Sequence, residues 1–225
     1  MEQFPDKFNL TRDLNVRYAR SNFAELIYTT SRFEGVNTTL PQTQTILAGM
    51  GVDGVPLEDI NTIVYLKRAW DYITKETSSL TIEISKKINA IVAKDDALYP
   101  GQLRKGSGGV SLMDGTSYTP PLEISQEAET EYLNTLMDSP NSITDKAMTM
   151  MYHIMRTQIF WDGNKRTATL AANKIMMDGG AGLIHVPLEK WHEWNQLISE
   201  YYVNGDMSAI KKWTYENGIV GPTIL

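Results

Sequence analysis

Gln158-Ile159-Phe160-Trp161-Asp162-Gly163-Asn164-Lys165-Arg166-Thr167-Ala168-Thr169 is the stretch on which the reading of this chain turns. A glycine and a short polar residue separate an acidic residue from two basic ones, and an alanine-rich apolar run over 167–177 follows at once. That is a loop running into a helix N-terminus, where free backbone N–H groups and the helix dipole suit an anion. Gly163 and Asn164 supply the turn, which needs a small residue for close approach to a phosphate. Lys165 adds a point charge and Arg166 a planar fork. Asp162 is a carboxylate suited to a hard cation such as Mg²⁺, and Phe160 reads as the apolar anchor of the loop. The pattern points to a polyphosphate nucleotide. The plain alternative is an ordinary helix capped by Asp162, with a surface charge pair.

Outward from this loop the pattern is mostly helical. Helices are predicted over 125–137 and 142–156 ahead of it, and 178–180 (Asp-Gly-Gly) end the motif helix behind it. Segments 187–202 and 207–215 complete the chain. Trp191, Trp194, Tyr201 and Tyr202 recur near helical spacing and read as core, as does the Met-rich stretch 148–155. Upstream, helices are expected over 21–33 with Gly35 as C-terminal cap, 41–47 opened by Pro41, 57–77, and 80–93 capped by Ser79. Residues 1–19 read weakly. A glycine-rich loop over 101–109 leads to two short extended arms around Asp114-Gly115, a good hairpin turn. The expectation is an all-α chain with one small hairpin, and one domain over 1–225.

The 225 residues are 42% hydrophobic and 21% charged, and no apolar run approaches the ~20 residues of a membrane-spanning helix. Residues 1–6 show no basic-then-apolar leader. The absence of cysteine argues against disulfides and thiolate metal sites and suits a cytoplasmic protein. A net charge of −6 argues against general nucleic-acid binding.

The quoted stretch resembles the signature of the Fic/Doc (Fido) family, His-x-Phe-x-(Asp/Glu)-(Gly/Ala)-Asn-(Gly/Lys)-Arg. Phe160, Asp162, Gly163, Asn164, Lys165 and Arg166 match it. Gln158 stands at the family's histidine, and Thr169 at the second arginine of its AMP-transferring members. The resemblance implies a Fic-type helical domain with a β-hairpin flap, here about 107–121, that aligns a protein target by strand addition. It implies ATP as substrate, with Mg²⁺ at Asp162, and AMP transfer to a Ser, Thr or Tyr hydroxyl. Within about 20–50, Thr30, Glu34 and Gly35 are similar to the family's inhibitory motif, whose glutamate pairs with the second signature arginine. With Thr169 there, Glu34 is left to meet Lys165 or Arg166, or to serve as a surface helix residue.

Gln158 bears on the mechanism. An amide cannot accept the proton that the family's histidine takes from the target, and losing a general base costs ~10²–10⁴ in rate. His153, His185 and His192 lie away from the loop and read as packed or surface residues. Two alternatives stay open: a phosphate-transferring enzyme resembling the toxin Doc, favoured by Lys165 and the missing second arginine, and a non-catalytic module that binds nucleotide or protein. A homo-oligomer is also left open.

Overall fold

Capping side chains open several of the helices in the computed structural model, which describes residues 4–223. Met1 to Gln3, part of the stretch read as lacking a leader, lie outside the described residues, as do Ile224 and Leu225. Helix α1 (Arg12–Ser21) starts where the Thr11 hydroxyl accepts from the Leu14 N–H. It lies in the stretch that read weakly, because its buried side includes Asn15 and its apolar residues are few. Helix α2 (Phe23–Ser31) tightens into a 3-10 turn at Arg32–Glu34 and stops at Gly35, whose φ is 74°. A reciprocal Thr39–Gln42 box opens α3 (Leu40–Leu47). Helix α4 is Leu57–Lys75, and α5 is Ile82–Val92. The cap of α5 is Thr81 rather than Ser79, since the Thr81 hydroxyl is the one that accepts from Ile84 N.

The hairpin forms as expected from two short strands, β1 (Val110–Ser111) and β2 (Ser117–Tyr118). Val110 faces Tyr118 and Ser111 faces Ser117. Asp114 braces the turn by accepting from the Thr116 N–H and hydroxyl. Ser125 and Ser142 cap α6 (Gln126–Asp138) and α7 (Ile143–Thr157). Helix α8 is Asn164–Gly179, α9 is Trp191–Asn204 and α10 is Ser208–Asn217.

A second sheet corrects the expectation of one hairpin. Strand β3 (Leu183–Ile184) pairs antiparallel with β4 (Ile219–Val220). Two-residue strands far apart in sequence leave no alternation to read.

The fold is built around α7 and α8. From Asn164 to Met177, Lys165 alone is not buried in α8. Met148, Met150, Met151 and Met155 of α7 are wholly inaccessible, so the Met-rich stretch is packing. Trp194 and Tyr202 close the core from α9, while Trp191 stays partly exposed at its rim. Among the described residues no helix is long and apolar enough to cross a membrane.

Candidate active site

The signature loop leaves α7 through one unusual residue. Gln158 is the C-cap of α7 with φ 52° and ψ 55°, and among the described residues it is the only non-glycine with positive φ. Its N–H donates to Ile154 O, its side-chain amide N–H donates to Met155 O at 2.6 Å, and its amide oxygen accepts from Asn164 Nδ2 at 3.1 Å. Both ends of the amide are therefore engaged, one by the last turn of α7 and the other by the start of α8.

Asn164 stitches the loop closed. Its side-chain oxygen accepts from the Phe160 N–H and its amide donates to Phe160 O, both at 2.9 Å. Phe160 is fully buried, the anchor its sequence position suggested. Gly163 is the N-cap of α8 at φ 69° and brings no side-chain cap, so the first turn of the helix meets the cleft without one. A β-carbon on Gly163 would lie 2.8 Å from the Ala93 methyl, so the close approach as well as the left-handed backbone requires glycine.

Asp162 is exposed, and one of its carboxylate oxygens accepts from the Gly163 N–H. Lys165 is half-buried; burial lowers its pKa, and Glu34 opposes that shift. Thr169 turns inward and donates to Lys165 O at 2.9 Å, so the second-arginine position is satisfied within its own helix.

Arg166 is fully buried and its guanidinium is already surrounded. Nη2 donates to Asp96 at 2.8 Å, Nη1 donates to Val92 O, and Nε lies 2.8 Å from Glu34 Oε1. That last N–H is not aimed at the carboxylate, so the Glu34 contact is one of charge more than an aligned hydrogen bond. The structure thus brings Glu34 to Arg166. Burial raises the Glu34 carboxyl above its ordinary value; Arg166 opposes this, while Asp162 and Asp96 reinforce it. Thr30 is buried and bonds Leu26 O within α2, and Gly35 supplies the left-handed cap that turns the chain after Glu34.

Three residues that the sequence gave no reason to single out hold this arrangement. Asn89, on the buried face of α5, donates to Asp162 O at 2.8 Å and Thr167 Oγ1 at 3.1 Å, and accepts from Gly101 N. Asp96 takes one arm of Arg166. Arg104 donates from Nε to Gln158 O at 2.9 Å. A polar residue among the apolar positions Ile82, Ile88 and Val92 was the available sign of Asn89. Nothing local marks Asp96 or Arg104. The histidines stay apart: His153 pairs with Glu129 at 2.7 Å and stacks on Tyr132.

A cleft of about 290 Å³ lies over the loop, lined by Phe33, Glu34, Gly109 to Ser111, Gln158, Asp162, Asn164 and Lys165. Its walls are therefore the 3-10 turn after α2, the first arm of the hairpin, and the loop and start of α8. A larger cavity of about 770 Å³, around Phe4, Asp145 and Lys211, involves none of these residues.

A glycine-hinged helix start beneath a two-stranded flap defines a helical protein with a signature-loop site. Residues 79–176 match the model of the Fic/DOC family. It is similar to protein adenylyltransferase fic-1 of Caenorhabditis briggsae, at 26% identity over 186 residues, covering 79% of this chain and 36% of that protein. Protein adenylyltransferase Fic of Drosophila ananassae is also 26% identical, over 196 residues, covering 82% of this chain and 38% of the relative. The chain thus spans a little over a third of the length of these curated relatives. In fold it is similar to a Fic-domain-containing signaling protein from Bacteroides thetaiotaomicron, with TM-score 0.74 and 18% identity over 90% of this chain and 80% of that one. A Fic-1 structure from Caenorhabditis elegans gives TM-score 0.73 and 20% identity over 89% of this chain and 61% of that one.

Proposed function

We propose that this chain is a nucleotidyltransferase of the Fic type that moves AMP from ATP to a Ser, Thr or Tyr hydroxyl of a protein target, slowed by Gln158. The observation that carries this reading is the cleft that Glu34, the hairpin arm and the start of α8 line together. The residues present fit the substrate. An uncapped helix start and Lys165 offer N–H groups and a cation to phosphate. Asp162 is exposed and has spent one oxygen on Gly163, which leaves the other for Mg²⁺. When bound, the ion neutralises phosphate charge.

The chain's own residues do the rest. Among the described residues each hairpin strand has one edge without a strand partner, and such an edge can align an extended target segment. In the transfer, the target oxygen bonds to the α-phosphorus, the bond to the bridging oxygen breaks, and pyrophosphate leaves. The hydroxyl proton must go to a base, and Gln158 is an amide whose two ends are already engaged. Glu34 against Arg166 supports an autoinhibited state, since phosphate can reach that guanidinium only if Glu34 withdraws. The cysteine-free composition favours a cytoplasmic setting.

A second reading, phosphate transfer, is favoured by Lys165 and by Thr169 at the second-arginine position. The test incubates wild type and Gln158→His with Mg²⁺, a cell extract, and ATP labelled at the α- or the γ-phosphate. Protein-bound α-label, higher by about 10²–10⁴ in Gln158→His, is the expected outcome. Label from the γ-position alone would replace AMP transfer by phosphate transfer. No label from either protein would leave a binding module.

A further inference from the structure

Arg104 lies before the flap, outside the signature, with only 2% of its surface exposed. A buried guanidinium ordinarily finds a carboxylate, because an uncompensated charge is costly to take out of water. The hydrogen-bond partners of this one are main-chain carbonyl oxygens. Nε donates to Gln158 O at 2.9 Å, Nη2 to Pro121 O at 2.6 Å and Thr157 O at 3.4 Å, and Nη1 to Gly106 O. Burial lowers its pKa, yet a guanidinium keeps its proton in proteins.

These carbonyls come from three places. Gly106 belongs to the arm rising into the hairpin, Pro121 to the arm descending from it, and Thr157 and Gln158 to the C-terminal end of α7. Carbonyls at a helix end lack intrahelical donors and sit at the negative pole of the dipole, so a cation suits them. The main chain of Arg104 adds to the same join: its N–H donates to Ile159 O at 2.9 Å, and Leu103 bridges Phe160. Gly108 packs on the side chain, since a β-carbon there would lie 3.3 Å from Arg104 Nε.

We propose that Arg104 is a positioning residue that locks both arms of the flap to the backbone of residue 158. The edge offered to a target and the side chain facing the reacting hydroxyl then keep one fixed relation. The functional consequence rests on the transfer reading; the mechanical coupling does not. Lysine, with a single nitrogen, cannot span three sets of carbonyls, and methionine removes the charge altogether.

The test follows amide hydrogen exchange in the full chain for wild type, Arg104→Lys, Arg104→Met and Asp114→Ala, the last loosening only the hairpin turn. In Arg104→Met, exchange is expected to rise about tenfold or more over both 106–122 and 158–164, with α7 amides over 148–155 unchanged. Arg104→Lys is expected to recover part of the protection in both segments together, and Asp114→Ala to affect the flap alone. Three results would overturn the proposal: loosening of the flap without the loop, a uniform rise that includes 148–155, or loss of the folded state in both Arg104 variants. No transfer activity enters this readout, so its failure and the failure of the AMP-transfer reading are separate results.

Discussion

Arg166 stands between two carboxylates, Glu34 and Asp96, and the two are not equivalent. Asp96 receives an aligned N–H at 2.8 Å, whereas Glu34 sits at the same distance without alignment. On the autoinhibition proposed above, Glu34, the less directed partner, is the one that withdraws. On that proposal Glu34→Gly should tighten Mg-ATP binding, read by calorimetry; unchanged affinity would overturn it. The same carboxyl gives a pH signature. Its folded-state pKa lies above the ordinary 4.5, chiefly through burial. As pH rises from 4.5 towards the folded value, the unfolded chain has released this proton while the folded chain retains it. Stability from this group is thus present at low pH and lost as pH rises through that window. Melting temperatures of wild type and Glu34→Gln between about pH 4 and about pH 7 should diverge, with wild type losing ground as pH rises. A constant difference would contradict the burial of that carboxyl.

At the scale of elements, the loop between α7 and α8 depends on backbone conformations that few residues adopt. Gly163→Ala combines a left-handed φ of 69° with a β-carbon 2.8 Å from Ala93. It should cost about 1–3 kcal/mol in urea unfolding and, on the transfer reading, abolish nucleotide binding, because the turn must open to admit the methyl group. Retained binding would show that the helix start tolerates a wider loop. This region was the most legible part of the sequence: Gly163 and the buried anchor Phe160 followed from residue type and order. Helices α2 to α10 were legible from apolar spacing and caps. What escaped was long-range. Asn89 reaches Asp162 across 73 positions and Arg104 reaches Gln158 across 54, and neither neighbourhood announces its partner. Thr81 displaced Ser79 as the cap of α5 because both hydroxyls suit the role and only the local geometry separates them.

For the molecule as a whole, the start of the chain is stitched to the turn between α8 and β3. Buried Asn15 donates to Gly182 O at 3.0 Å and accepts from Gly182 N at 2.8 Å, much as a neighbouring strand would. Leu10 N donates to Gly180 O, and Arg12 pairs with Asp178. The end of the chain reaches the same corner through β4 against β3. Asn15→Ala would leave both main-chain groups of Gly182 without that partner and should cost about 1–3 kcal/mol, measured by denaturant unfolding. A loss below about 0.5 kcal/mol would mean that water takes over both bonds.

Gln158 has one consequence for descent. Its backbone lies in the left-handed region, where histidine is among the non-glycine residues found more often than most. Glutamine and histidine codons differ in the third base alone. On the transfer reading, a single base change would give an imidazole at this position with no rearrangement of the main chain. The same exchange would give up the amide's bonds to Met155 and Asn164, so the chemistry of the position and the stitching of the loop change together.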